Sequence, residues 1–315
     1  MPTDHTTRAT LQAVFVTILW ASSWVLIRIG LDSADLQPLG FAGMRYGLAA
    51  LVIWATVVRR SGPSGLADLT SVRIRELIVL GIVFYALTQG AQFVAIANQP
   101  AATTSLVLSF TPLLAALVGM VVLGEHVRPI QVVGMVAVAA GAFLYFTGSL
   151  GATAVGMAAS LVCLGSNTAA AILGRRVNRR TDSDPLLVTA VSMSIGAAVL
   201  LIVGAVAEGI SLPSPAAWLI IAWLAVVNTA WAFVLWNRSL VHLPAATSAV
   251  INNLMLVEIA VLAWLFLDER PSWGQVIAIA VVTTGVVAGS GAFGGVSRRS
   301  GGEQSTSPPP RDHPS

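Results

Sequence analysis

Pro100-Ala-Ala-Thr-Thr-Ser105 returns as Pro244-Ala-Ala-Thr-Ser-Ala249, at an offset of 144 residues. The same register aligns Leu123-Gly-Glu125 with Leu267-Asp-Glu269, Gln131 with Gln275 and Gly141 with Gly285. It also sets Ala21-Ser-Ser23 against Gly165-Ser-Asn167. Chance likeness between apolar runs does not hold one register over so long a stretch. The chain is therefore read as two related halves.

The halves are made of apolar runs. They fall at approximately 11–29, 38–58, 76–97, 100–123, 129–147, 151–173, 186–207, 216–237, 244–267 and 273–293. Of the 315 residues 56% are hydrophobic and 10% charged, and the mean hydropathy is +0.82, outside the balance of a soluble domain. A hydrocarbon core about 30 Å thick needs roughly 20 apolar residues per helix, which matches these runs. The expected fold is an all-α membrane protein with ten transmembrane helices. Ala, Gly, Ser and Thr inside the runs let helix backbones approach closely where lipid offers no hydrophobic drive for association. The alternation of an outer-membrane barrel is absent.

Five spans per half is an odd number, so the second copy enters the bilayer upside down, giving two inverted five-helix repeats, an arrangement typical of transporters. The expected layout is a lead at 1–10, a first repeat at 11–147, a second at 148–293, and a Ser-, Pro- and Arg-rich disordered tail at 294–315. All basic residues are arginines. Arg59, Arg60, Arg73 and Arg75 follow the second span, Arg128 the fourth, Arg175, Arg176, Arg179 and Arg180 the sixth, and Arg238 the eighth. Arg8, Arg298 and Arg299 fall on the same side. The other side carries Asp32, Asp35, Glu208, Asp268 and Glu269, with Arg28 and Arg270 at its boundary. By the positive-inside bias both termini are cytoplasmic, in a cell inner (plasma) membrane.

Four stretches stand out: Trp20-Ala-Ser-Ser-Trp24-Val-Leu-Ile-Arg28-Ile-Gly30, Pro38 to Arg45, Ser105-Leu-Val-Leu-Ser-Phe-Thr-Pro112 running on to Leu123-Gly-Glu125, and Leu265-Phe-Leu-Asp-Glu269. Together they resemble the drug/metabolite transporter superfamily, as a tandem pair of EamA-type domains. The resemblance implies a basket-shaped ten-helix bundle that exports amino acids, related metabolites or xenobiotics. The sequence departs from the family in helix 9, which has Met255-Leu256 where Glu-Pro is frequent, and in helix 6, which has Leu164 opposite Trp20.

Glu258 lies about 14 residues into the ninth run, about 21 Å from its start at 1.5 Å per residue. No other acid lies so deep, and an intramembrane carboxylate faces a cavity, pairs with a cation, or is held neutral by hydrogen bonds. Burial raises a carboxyl's proton affinity, which suits proton coupling. Arg45, about seven residues into the second run, either holds a substrate carboxylate or forms a structural bridge, with Glu258 within reach. Gln89, Gln92, Asn167, Asn228, Asn237, Asn252 and Asn253 each need a wet cavity or an interhelical hydrogen bond. Asn167, the repeat partner of Ser23, is the first choice for the cavity. Trp20 and Trp24 stand near the middle of the first span and suit a cavity wall, whereas Trp54, Trp218 and Trp273 suit interface belts. Pro112 removes a backbone hydrogen bond inside the fourth run and marks a kink.

Enzyme signals are poor. Gly289-Ser-Gly-Ala-Phe-Gly294 matches a dinucleotide-binding spacing but closes an apolar helix rather than following a strand. The lone Cys163 and four scattered histidines offer no metal spacing, so no catalytic residue, cofactor or metal is implied. A nucleic-acid partner is not expected from arginines strung along short loops. The sequence points to a secondary transporter exporting small metabolites or drugs by alternating access with proton coupling, its partners a small-molecule substrate and the lipid bilayer. The rivals are an uncoupled facilitator of the same fold and a membrane-embedded lipid-modifying enzyme, which would need clustered acids or histidines.

Overall fold

The computed structural model describes residues 2–33, 36–61, 71–111, 113–115, 117–118, 129–146, 151–180, 185–210, 212–240, 242–243 and 245–289. Among them all regular structure is helical. α1 is Pro2–Ser33 and α2 is Pro38–Ser61. α3 runs through Ser71–Leu80, a π-helical turn Gly81–Gln89, and Gly90–Asn98. α4 opens with Ala101–Leu108, α5 is Pro129–Phe146, α6 Ala154–Arg180 and α7 Pro185–Ala207. α8 runs through Pro215–Ala225, a second π-helical turn Val226–Trp231, and Ala232–Leu240. α9 is Ala245–Leu267 and α10 Trp273–Gly289.

Proline begins α2, α5, α7 and α8, where its missing N–H costs nothing and its fixed φ suits the first helical residue. Pro2 does the same for α1, so the residues read as a lead are part of the first helix from Pro2 on. Six helical stretches are long and apolar enough to cross a membrane: Thr7–Asp32, Pro38–Arg60, Ile74–Asn98, Ala154–Gly174, Pro185–Ala207 and Pro215–Trp236. The stretches Ala101–Ala115, Val132–Gly141, Leu254–Leu267 and Trp273–Gly285 are apolar but shorter. Leu11, Leu51, Ile202, Leu219 and Phe266 are exposed on the helix surfaces, as lipid-facing side chains are. The tail at 294–315 lies outside the described residues.

Close approach of backbones sets the packing. α2 and α7 run antiparallel: a Cβ on Gly43 would sit 2.9 Å from the Leu201 nitrogen, and one on Gly204 would sit 2.8 Å from the Gly40 nitrogen. α5 and α10 meet in the same way. A Cβ on Gly141 would lie 3.0 Å from the Ala278 oxygen and 3.0 Å from the Val282 nitrogen, and one on Gly285 would lie 2.9 Å from both the Gly134 oxygen and the Val138 nitrogen. Advancing Gly134, Val138 and Gly141 by the repeat offset gives Ala278, Val282 and Gly285, so each contact has its mirror in the other half.

Carboxylates at the ends of two helices cap the starts of two others. Glu208, after α7, accepts from the Leu39 nitrogen at 2.9 Å and the Gly40 nitrogen at 2.9 Å, neutralising unpaired N–H groups at the start of α2. Glu269, after α9, accepts from the Ala101 nitrogen at 3.2 Å at the start of α4. Burial pushes the Glu269 carboxyl above its ordinary range, and the Ala101 and Ala102 N–H groups pull it back. Ser272 and Gln275 form a reciprocal capping box that starts α10, with Ser272 N donating to Gln275 Oε1 at 2.8 Å.

Candidate functional site

A cavity of about 410 Å³ opens between α1, α2, α3, α4, α6, α8, α9 and α10, within the range of small-molecule sites. Its walls include six repeat-equivalent pairs. Ser23 and Asn167, Phe84 and Asn228, Tyr85 and Thr229, Gln89 and Phe233, Leu108 and Asn252, and Thr111 and Met255 all line it, each pair separated by the repeat offset. Most pairs oppose a polar to an apolar side chain. The halves thus supply one cavity with different chemistry at equivalent positions.

Both π-helical turns reach this cavity, and they too are repeat-equivalent. Each holds a buried threonine whose hydroxyl donates to the carbonyl five residues earlier at 2.8 Å: Thr88 to Val83 and Thr229 to Leu224. A π turn shifts the i→i−4 ladder by one residue and is frequent at functional sites. In α8 the turn presents Asn228 and Thr229 inward; in α3 it presents Phe84, Tyr85, Thr88 and Gln89.

Arg45 lines the cavity at 5% exposure. Its Nε and Nη2 each donate to Thr229 Oγ1 at 3.2 Å, and Nη2 donates to Ser23 Oγ at 3.5 Å. Its guanidinium carbon lies 5.1 Å from the Tyr46 ring centroid and 5.9 Å from that of Phe93. Such ring contacts are worth about 2 kcal/mol when desolvated, whereas taking an ion out of water costs several. Hydroxyls and rings leave the charge largely uncompensated. Asn228 donates through Nδ2 to the Leu19 carbonyl, to Ser22 Oγ at 2.9 Å and to Ser23 Oγ at 3.0 Å. A carbonyl partner accepts only, which fixes the amide's orientation, and Asn228 Oδ1 is buried without a hydrogen-bond partner.

Of the residues singled out from the sequence, Trp20, Trp24, Arg45, Gln89, Gln92, Asn167, Asn228 and Asn252 converge on this cavity. Gln89 is oriented by the Tyr46 hydroxyl, which donates to its Oε1 at 2.6 Å, and Asn167 donates to Thr111 Oγ1 at 3.3 Å. Trp20 packs against Phe233 and Trp236 with centroids 5.6 and 5.2 Å apart. The structure keeps Glu258 apart from the described walls. It sits where α9 packs on α1, with Oε1 3.1 Å from Thr17 Oγ1 and Oε2 buried without a partner. The Arg45–Glu258 bridge is not formed: Arg45 is held by Thr229 and Ser23, whereas the hydrogen-bond contact of Glu258 is with Thr17, six residues before Ser23 on α1. Pro112 and the Asn253 side chain lie outside the described residues. Thr229, Tyr46 and Tyr85 were not singled out; repeat equivalence to one another is the signal that would have found Tyr85 and Thr229.

Residues 7–147 and 154–289 each match the model of the EamA-like transporter family. The chain is similar to the uncharacterised transporter YvbV of Bacillus subtilis, 27% identical over 207 residues, a span covering 65% of each protein. It is 25% identical over 272 residues to a probable terminal-alkyne amino-acid exporter of Streptantibioticus cattleyicolor, covering 84% of this chain and 87% of that one. A solved chain titled only as a protein crystal structure overlays with a TM-score of 0.66 at 20% identity, covering 90% of this chain and 98% of its own. That likeness concerns the fold alone.

Proposed function

Because the chain belongs to the EamA-like transporter family, matched in both halves, we propose that it is a secondary exporter of small metabolites, amino acids and related compounds among them, working by alternating access around the cavity. It is a multi-pass membrane transporter and not an enzyme. The observation that carries the finer reading is the cavity itself, whose walls include six pairs of repeat-equivalent positions from the two halves. A site on the axis relating two halves is reached from either side as the halves rock.

Inverted repeats and ten crossings are part of this proposal. Their support is the α5–α10 contact: two antiparallel helices whose contacts exchange under the repeat offset are related by an axis perpendicular to both, which lies in the membrane plane if they cross the bilayer. The four shorter apolar helices then cross with the six long ones. Arginine placement puts both termini in the cytoplasm of a plasma-membrane protein.

Proton coupling is assigned to Glu258, the buried carboxyl at the α1–α9 contact. Its place outside the described cavity walls favours the second reading, an uncoupled facilitator. Counterflow in reconstituted vesicles separates the two. The exporter reading expects solute exchange without a proton gradient and net accumulation with one; exchange unchanged by pH, with no accumulation, indicates the facilitator. Absence of any flux for solutes that cells overexpressing the chain export would overturn both.

A further inference from the structure

Arg45 is the charged side chain among the described residues of the cavity wall, and its partners there are neutral. Ser23 Oγ receives hydrogen bonds both from Arg45 Nη2 and from Asn228 Nδ2, so the guanidinium and the Asn228 amide converge on one hydroxyl. The other end of that amide, Asn228 Oδ1, is buried and without a partner. A guanidinium poor in compensation and an amide with an unpaired carbonyl oxygen, sharing one hydroxyl on the cavity wall, match a head group that brings an anion and a hydrogen-bond donor together. Around them stand Trp24, Tyr46, Phe84 and Tyr85, which suit an apolar or aromatic body.

We propose that Arg45, Ser23 and Asn228 seat the carboxylate head of the transported solute, so that the cavity takes organic acids with an apolar or aromatic body and excludes organic cations. An ammonium or quaternary drug would meet Arg45 with no described carboxylate on the wall to offset the repulsion. The carboxylate accepts from guanidinium N–H groups, while Asn228 Oδ1 accepts from a donor on the adjacent carbon. A hydroxyl or amino group there therefore improves binding. This assignment rests on the transport reading of the cavity.

The test uses a series of matched shape, 3-phenylpropanoate, 3-phenylpropanamide and 3-phenylpropan-1-amine, with 3-phenyllactate carrying the adjacent hydroxyl. Each is titrated into the purified full chain in detergent, read by tryptophan fluorescence and by thermal shift. The expected result is carboxylate binding at least tenfold tighter than the amide, with the amine weakest and 3-phenyllactate severalfold tighter than 3-phenylpropanoate. Arg45→Met should bring the carboxylate and amide within about threefold of each other, and Arg45→Lys should retain the preference for the anion. The wild-type series decides the matter even if Arg45→Met does not fold. Amine binding equal to that of the carboxylate, a carboxylate no better than the amide, or no binding by any member overturns the assignment. Vesicle counterflow distinguishes the two failures: exchange of the amine or amide leaves the transport reading intact while the anion seat falls.

Discussion

The Glu258→Gln protein is expected to fold, insert and exchange solute while losing accumulation driven by pH. Glutamine keeps the shape and the hydrogen-bonding capacity of the side chain and removes its proton exchange. The local geometry motivates the prediction. Thr17 Oγ1 lies 2.8 Å from the Val14 carbonyl and 3.1 Å from Glu258 Oε1, yet a hydroxyl has one proton to give. The hydroxyl proton serves either acceptor: directed at Glu258 it is accepted by the carboxylate, and directed at Val14 it leaves the Glu258 contact to be completed by a proton on the carboxyl. Loss of the carboxyl proton then leaves a charge at the α1–α9 contact, and its return restores the seam, so protonation and helix packing are linked. A pH difference of one unit supplies about 1.4 kcal/mol per proton, or about tenfold accumulation for a one-to-one exchange. The variant should fall from that ratio to unity. Since Arg45 and Glu258 hold separate partners, adding Arg45→Met to Glu258→Gln should rescue nothing. Full pH-driven accumulation by well-expressed Glu258→Gln protein would eliminate the coupling role.

Gly141→Leu and Gly285→Leu should each destabilise the protein by about 3 kcal/mol, at the upper end of the usual cost of overpacking. The atoms facing a new Cβ at these sites include backbone: Ala278 oxygen and Val282 nitrogen on one side, Gly134 oxygen and Val138 nitrogen on the other. Side-chain rotation cannot clear a backbone atom, so α5 and α10 must separate. Because both sites open the same seam, the double variant should lose less than the two single losses together. Gly174→Leu serves as the control, since a Cβ there meets nothing within 4 Å. Reversible unfolding in mixed micelles measures the differences. Stability of Gly141→Leu equal to that of Gly174→Leu would remove the seam from the account.

Repetition and apolarity made the helical membrane architecture legible, because both depend only on residue order. The convergence of Ser23 with Asn167 followed from the same register. Azimuth was not legible in the same way. Asn252, Met255, Leu256 and Ile259 recur at the three- and four-residue spacing of one helix face, and they line the cavity. Glu258 lies about 100° round the helix from Ile259, so its place within an apolar helix was readable but its neighbour, Thr17, was not. The π-helical turns left no mark in the sequence. Gly81–Gln89 and Val226–Trp231 read as ordinary apolar helix, and it is the shifted ladder that carries Thr229 to Arg45, 184 residues away. Glu208 and Glu269 read as loop acids on one membrane side, whereas the structure uses them as caps for α2 and α4.

Alternating access around a cavity shared by the halves is tested most directly by side-specific labelling of one wall residue. Ser109 lines the cavity, and serine to cysteine changes little in shape. The background is Cys163→Ala, which removes the lone, buried native thiol. A membrane-impermeant maleimide is applied to right-side-out and to inside-out vesicles, with solute gradients imposed in either direction. The account predicts that Ser109→Cys is labelled from both sides, with reversal of the gradient shifting the rate up on one side and down on the other. Labelling confined to one side under every gradient, in a protein that still transports, would contradict it.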